Sequence, residues 1–246
     1  LEKLDLQEVA YFVNTNIVKF HQSKVKRLES LSLRSLLKKK NPYLFRAKNI
    51  TVATELITSI LDAFLSSSEE KLFGDFLEEL AIFIAGRTCN GRKSAATGID
   101  LEFENEGVFH LVSVKSGLNW GNSSQHKKQE NDFDTAVRVL KQHQSKLNVQ
   151  PVLGICYGKS KSKFVKNYKR VAGQSFWHLI SDDRDLYTEI IEPLGYKAKQ
   201  HNEAFNQGKG KLINSLTAQF IEDFCIDGDI NWEELVRFNS GNMGEQ

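Results

Sequence analysis

The sequence predicts an α/β fold: a mixed central β-sheet flanked by helices, with further helices added around it. Three observations point there. Apolar residues recur at helical spacing through residues 1–85. The spacing switches to strict alternation over 99–104. A helical stretch, a second apolar run at 149–157 and more helical pattern then follow.

Leu4, Val9, Phe12 and Val13 mark a first helix. Leu31, Leu33, Leu36 and Leu37 mark a second, which Asn41-Pro42 should stop. Val52, Leu56, Ile57, Ile60, Leu61 and Phe64 mark a third. Ser67 and Glu70 have capping-box spacing and should open a fourth, with the stripe Phe73, Phe76, Leu77, Leu80, Phe83 and Ile84 turned inward. A loop with Gly and Ser fills 86–98. Ile99, Leu101 and Phe103 then alternate with Asp100, Glu102 and Glu104, and a β-rich run follows at 108–115. Glu106-Gly107 between them reads as the turn of a hairpin. A loop rich in Gly, Asn and Ser covers 116–124. The next helix should carry Phe133, Ala136, Val137, Leu140 and Leu147 on its inner face. The strand at 149–157 would return parallel to the 108–115 strand by a crossover. The remainder reads as mainly helical. Three regions follow: a helical part at 1–65, a core at 66–160 and a mainly helical part at 161–246 packed on it, expected as one compact unit.

A chain of 246 residues has room for a substantial apolar core. No apolar run reaches the length of a membrane span, and Leu1-Glu2-Lys3 shows no signal-peptide pattern and no initial Met. Cys89, Cys156 and Cys225 are odd in number and far apart, which argues against a disulfide framework or a zinc site; they are expected as small buried side chains of a cytoplasmic protein. The six histidines form no His-x-x-x-His pair, so His110 and His126 read as incidental. No Gly-x-Gly-x-x-Gly or Walker-type loop is present, so nucleotide hydrolysis is not expected.

The net charge is only +2, yet it is segregated. Lys38, Lys39 and Lys40 sit in a basic stretch from Lys19 to Lys48. A second run comprises Lys159, Lys161, Lys163, Lys166, Lys169 and Arg170, and the C-terminal part is acidic. Such runs are either solvated faces or footprints for phosphates.

Chemistry concentrates in Gly98-Ile99-Asp100 and Ser113-Val114-Lys115-Ser116-Gly117. Ser113 and Lys115 are two apart on a strand and face the same way. With a two-residue turn at Glu106-Gly107, Asp100 lies opposite Ser113; a slip of one residue would turn it to the other face. A carboxylate, a hydroxyl and an ammonium in one place suit metal-assisted phosphodiester hydrolysis, in which Mg²⁺ is held by one or two carboxylates and a Lys offsets developing charge. Each residue also has a plainer reading. Asp100 fits a solvated strand residue, like Glu102 and Glu104, and Lys115 fits an ordinary strand end.

Asp on one strand, followed by an element ending in Lys on the next, resembles the motif of the PD-(D/E)XK nucleases. The helix Gly74-Asp75-Phe76-Leu77-Glu78 lies upstream, where this class often carries an acid, the loop Lys115-Ser116-Gly117-Leu118-Asn119-Trp120-Gly121-Asn122-Ser123-Ser124 follows the Lys closely, and the stretch Gly173-Gln174-Ser175-Phe176-Trp177-His178-Leu179-Ile180 is similar to one family of type II restriction endonucleases. The resemblance covers roughly residues 30–225. It implies a restriction-endonuclease-like core, Mg²⁺, double-stranded DNA as substrate, a homodimer and a cognate DNA methyltransferase as functional partner in a bacterial or archaeal cell. It departs from the motif at Ile99, where Pro is usual, and at Ser113, where Asp or Glu is usual. Some enzymes of this class with Ser-x-Lys recruit a Glu from the following helix, a role that falls here to Glu130. The resemblance thus implies catalytic Asp100, Lys115, Glu78, Glu130 and Ser113, with Asp100 and Glu130 on the metal. Glu79 is the reserve for Glu78, which its position in the Gly-x-x-x-Glu pattern favours. Asn119, Asn122, Ser123, Ser124, Gln125 and Lys127 are candidate DNA contacts, although Ser123 or Ser124 also fits a helix cap and Trp120 a core anchor. The alternatives are a repair or resolving nuclease of the same fold, a catalytically inactive DNA-binding module, or a structural protein with a coincidental motif.

Overall fold

The computed structural model describes residues 2–242. Its elements run α1 (Leu6–Glu29), α2 (Leu33–Leu37), α3 (Pro42–Ala47), α4 (Ala53–Thr88), β1 (Arg92–Lys93), β2 (Leu101–Asn105), β3 (Val108–Lys115), α5 (Ser123–His143), β4 (Val149–Ile155), β5 (Lys163–Val165), β6 (Tyr168–Ala172), α6 (Gln174–Ser181), α7 (Leu186–Glu189), α8 (Ile191–Leu194), α9 (Ala198–Phe224), β7 (Cys225–Ile226), β8 (Asp229–Ile230) and α10 (Trp232–Ser240). They divide into two compact units. One comprises the chain up to Val18 together with Phe73–Tyr196; the other comprises Lys19–Leu72 and the chain from Lys197 onward.

The first unit is built on a six-stranded mixed sheet in the order β1-β2-β3-β4-β6-β5. The β2–β3 hairpin turns on Glu106 (φ 50°) and Gly107 (φ 73°). Two positive φ values in a two-residue turn match the twist of the strands they join. The turn sets the register Leu101↔Val112 and Phe103↔His110. β4 then lies parallel to β3 after the crossover through α5. α5 covers one face, where Phe133 and Ala136 pack on Ile99, Leu111, Leu153, Ile155 and Tyr168. On the opposite face a glycine makes close packing possible: a Cβ at Gly154, in the middle of β4, would overlap the Phe176 ring of α6. α6 is tied to α4 by the Thr88 hydroxyl, which donates to the Ile180 carbonyl at 2.5 Å, and α4 to α1 by the stacked rings of Phe83 and Phe12.

Several expectations change here. The region after residue 160 is not only helical. The basic run at Lys159–Arg170 contains β5 and β6, and β6 pairs parallel with β4. Only Tyr168, Val171 and Ala172 are buried there, and the lysines and arginine around them hide the strand pattern. The short β1 and the β7–β8 hairpin also lacked a readable period. Ser67 opens no helix: α4 runs unbroken through it, and its hydroxyl donates back to the Ala63 carbonyl at 3.0 Å instead of capping. Asn41-Pro42 does not simply end a helix. Asn41 caps α3 by accepting from Tyr43 and Leu44, with Pro42 in the first turn, where its missing N–H costs nothing. Leu147 lies beyond the end of α5. Of the cysteines, all free thiols, only Cys156 is fully buried; burial raises its thiol.

The second unit is helical with one small hairpin. Its core gathers Leu33, Leu36, Leu56, Ile57, Leu61, Leu216 and Phe220 from α2, α4 and α9. Part of the basic stretch is internal: Lys24 is buried, bridges Glu69 at 3.1 Å and sits over the Phe205 ring. Beside it, His21 stacks on His201 with centroids 4.3 Å apart.

Two predictions follow from this packing. Gly154→Ala forces a methyl against a ring with no free space around it and is expected to lower stability by about 1–3 kcal/mol in chemical denaturation. The second concerns pH. Burial first, then the charges of His201 and Lys24, depress His21 from 6.5 to about 4. The folded state therefore resists a proton that the unfolded chain accepts, so stability falls as pH drops from 6.5 towards 4. Melting temperatures taken between pH 7 and 5 should decline, and less steeply in His21→Gln; equal slopes in the two proteins would refute the assignment.

Candidate active site

The site forms where the β2–β3 hairpin meets the end of β3. Asp100 immediately precedes β2, and its N–H donates to the Val112 carbonyl at 2.9 Å. The register therefore sets it opposite Ser113. The Ser113 hydroxyl lies 3.2 Å from Asp100 Oδ2, and the Val114 N–H donates to the same oxygen at 2.6 Å. Lys115 Nζ is 3.6 Å from Asp100 Oδ2 and donates to Ser113 Oγ at 2.9 Å and to the Val114 carbonyl at 2.8 Å. Its ammonium also lies 5.6 Å from the centre of the Trp120 ring, so Trp120 supports the lysine as well as packing against the core under α5.

Glu78 reaches this cluster from α4. It is half-buried whereas Glu79 is exposed, so the helix turns the first of the adjacent acids inward. Lys93 Nζ stands 3.5 Å from its carboxylate. Burial first, and the nearby negative charge of Asp100 second, raise the Glu78 carboxyl above its ordinary value, with Lys93 and Lys115 acting in the opposite sense. Glu78 is thus a carboxyl that burial and a neighbouring carboxylate hold back from ionising, a strain that a bound cation would relieve.

Glu130 is not brought to this cluster. Its carboxylate accepts from Lys166 Nζ at 2.7 Å, and its backbone carbonyl accepts from Asn167, both in the β5–β6 turn. The residue of α5 that faces Ser113 is its neighbour, Gln129, which sequence reasoning missed. Gln129 accepts from the Ser113 hydroxyl at 2.9 Å and donates to the Gly98 carbonyl at 3.0 Å. A signal for it existed: 129, 133 and 136 share the helical face that carries Phe133 and Ala136. Gly98 itself has φ 76° and lies so close to Asp132 that a Cβ would collide with that side chain.

Among the other candidates, Asn122 rather than Ser123 or Ser124 caps α5. Its side chain accepts from the Gln125 N–H at 3.1 Å, and Gln125 returns a bond to the Asn122 N–H at 2.9 Å. Asn119, Ser123, Ser124 and Lys127 are exposed around that helix start. Lys40 donates to the Ala63 carbonyl at 3.0 Å, whereas Lys38 and Lys39 are exposed. Lys159, Lys161, Lys163 and Lys166 are exposed along and beside β5.

Among the described residues, no three His, Cys, Asp or Glu side chains come together as a metal cage. The carboxylates that could hold a metal here are Asp100 and Glu78. That suits Mg²⁺, which commonly takes one or two carboxylates and keeps its remaining positions for water and phosphate. No helix of the described residues is long and apolar enough to cross a membrane.

A mixed sheet flanked by helices, with an acid, a hydroxyl and a lysine joined across its central hairpin, is a restriction-endonuclease-like α/β fold. The chain belongs to the family of the type II restriction endonuclease EcoO109I, which it matches over residues 7–202, a stretch that includes every residue of the cluster. A search of curated proteins finds no match.

Proposed function

We propose that this protein is a type II restriction endonuclease that hydrolyses phosphodiester bonds of double-stranded DNA at a specific short sequence with Mg²⁺ as cofactor. The observation that carries the reading is the juncture of Asp100, Ser113 and Lys115 across the hairpin, with the half-buried Glu78 beside it. Asp100 and Glu78 would hold the cation, which supplies positive charge to a phosphoryl oxygen and acidity to a water. Lys115 is fixed by Ser113, the Val114 carbonyl and Trp120 and presents positive charge where the scissile phosphate gains negative charge. Ser113 carries no charge; it holds Lys115 and leaves the space that a longer acid would fill. Glu78 is preferred over Glu130 as the second carboxylate because it lies within the field of Asp100, whereas Glu130 is turned to Lys166 and Asn167 of the β5–β6 turn.

The exposed Asn119, Ser123, Ser124 and Lys127 around the start of α5, and Lys159, Lys161 and Lys163 in and before β5, are the side chains proposed to meet DNA. Asn122 and Gln125 serve chiefly the helix cap. A homodimer would match a two-fold site, and a methyltransferase of the same specificity would protect the host. One observation favours a second reading, a DNA-binding module that does not cut: the strand position two before Lys115 and the helix position facing it are both neutral, Ser113 and Gln129.

Digestion of a sequenced plasmid with and without Mg²⁺, followed by sequencing of the ends, separates these readings. Discrete Mg²⁺-dependent fragments are expected. Asp100→Ala, Lys115→Ala and Glu78→Gln should each lower cleavage by about a hundredfold or more, whereas Glu130→Ala should stay within a fewfold of the parent. Salt-sensitive DNA binding without cleavage would select the second reading, and unchanged cutting by Asp100→Ala would refute the site. Sedimentation of the protein on a cognate duplex should give a two-to-one complex; a monomer on DNA would rule out the dimer.

A further inference from the structure

We infer that Gln129 is a positioning residue, which draws the Ser113 hydroxyl away from Asp100 and anchors the loop before it, so that the Asp100 carboxylate is left open to a divalent cation. The inference rests on the metal-site reading above. Gln129 is 6% exposed and Ser113 fully buried, so what these polar groups bond to is settled within the protein. Ser113 Oγ carries one proton and has two acceptors within reach, Gln129 Oε1 at 2.9 Å and Asp100 Oδ2 at 3.2 Å. Its lone pairs face Lys115 Nζ at 2.9 Å. The shorter contact takes the proton to Gln129. Asp100 Oδ2 then receives one neutral hydrogen bond, from the Val114 N–H, with Lys115 at 3.6 Å.

The other half of the amide acts on the backbone. Gly98 offers a carbonyl, which can only accept, so the group facing it is the Gln129 Nε2 donor, at 3.0 Å. Gly98 stands two residues before Asp100 at φ 76°, packed against Asp132 one turn along α5. The chain entering β2 is thereby fixed at a point where an untethered loop could swing. An amide does both jobs at once. A carboxylate at 129 keeps the acceptor but gives up the donor, and an aliphatic side chain loses both.

The test uses the free protein without DNA. Calorimetric titration with Mg²⁺ measures the parent, Gln129→Leu and Gln129→Glu, and amide hydrogen exchange follows the Val114 and Ile99 N–H groups. Gln129→Leu is expected to weaken Mg²⁺ binding by about tenfold or more and to speed exchange at Val114 and Ile99, while β4 amides exchange at parental rates. Gln129→Glu, which retains the acceptor for Ser113 but loses the donor to Gly98, should bind Mg²⁺ more tightly than Gln129→Leu while exchange at Ile99 stays fast. Mg²⁺ binding by Gln129→Leu equal to the parent's, or Gln129→Glu as weak as Gln129→Leu, overturns the inference. If Leu at this buried polar site prevents folding, Gln129→Asn, too short to reach both partners, takes its place with the same expected losses. Absence of Mg²⁺ binding by the parent sinks the metal-site reading instead. In that case faster exchange at Val114 still supports the positioning role, and unchanged exchange overturns it.

Discussion

The site depends on the register of one hairpin. Glu106 and Gly107 both adopt positive φ, and this two-residue turn fixes which residue of β2 meets which residue of β3. A strand exposes alternate side chains to alternate faces, so register here is all or nothing. With Leu101 against Val112, Asp100 comes opposite Ser113, and the Val114 N–H and Lys115 ammonium reach the same carboxylate oxygen. A one-residue slip would put Asp100 on the wrong side of the sheet and turn the buried Leu101 and Phe103 out of the core with it.

The second constraint is the docking of α5 across that sheet. Phe133 and Ala136 bury the helix face, and whatever lies one turn earlier on that face must meet the end of β3. That residue is Gln129. Its neighbour Glu130 is rotated by about 100° around the helix axis and finds Lys166 instead. Adjacent residues of similar size thus have unrelated surroundings: one satisfies a buried hydroxyl and a carbonyl, the other anchors a turn through an ion pair. Burial of a neutral amide here also avoids a third negative charge beside Asp100 and Glu78, where burial and the Asp100 charge already raise the Glu78 carboxyl.

How much of this was legible in the sequence follows from the strength of each local signal. The alternation at 99–104, the Glu106-Gly107 turn and the apolar face of α5 are strong short-range signals, and they suffice to bring Asp100, Ser113 and Lys115 together. The inward turn of Glu78 was legible only through the resemblance, since Glu79 borders the apolar stripe equally well. β5 and β6 escaped because lysines interrupt a pattern that only Val165, Tyr168, Val171 and Ala172 carry. Ser67 and Glu70 matched a capping box, yet a serine inside a helix can return its hydroxyl to the preceding turn, and the apolar residues on either side keep the helix going. Choosing between Gln129 and Glu130 required the phase of α5 to within one residue, which Phe133 and Ala136 do supply; attention to acids alone concealed it.

The six-stranded sheet ends on β1 and β5, and both are short and basic: Arg92 and Lys93 at one border, Lys163 at the other, with Lys161 and Lys166 next to it. An open strand border offers unpaired amides and carbonyls to any extended chain that approaches, and rows of like charge are a common defence against such growth. A second copy of this protein presents the same short borders, so coalescence of sheets into a continuous ribbon is disfavoured by strand length and, beside β5, by the repulsion of Lys161 and Lys163; at β1 the cations are paired with Glu102 and Glu78. The lysines proposed to meet a polyanion would thus also keep concentrated protein from aggregating through its own β-structure.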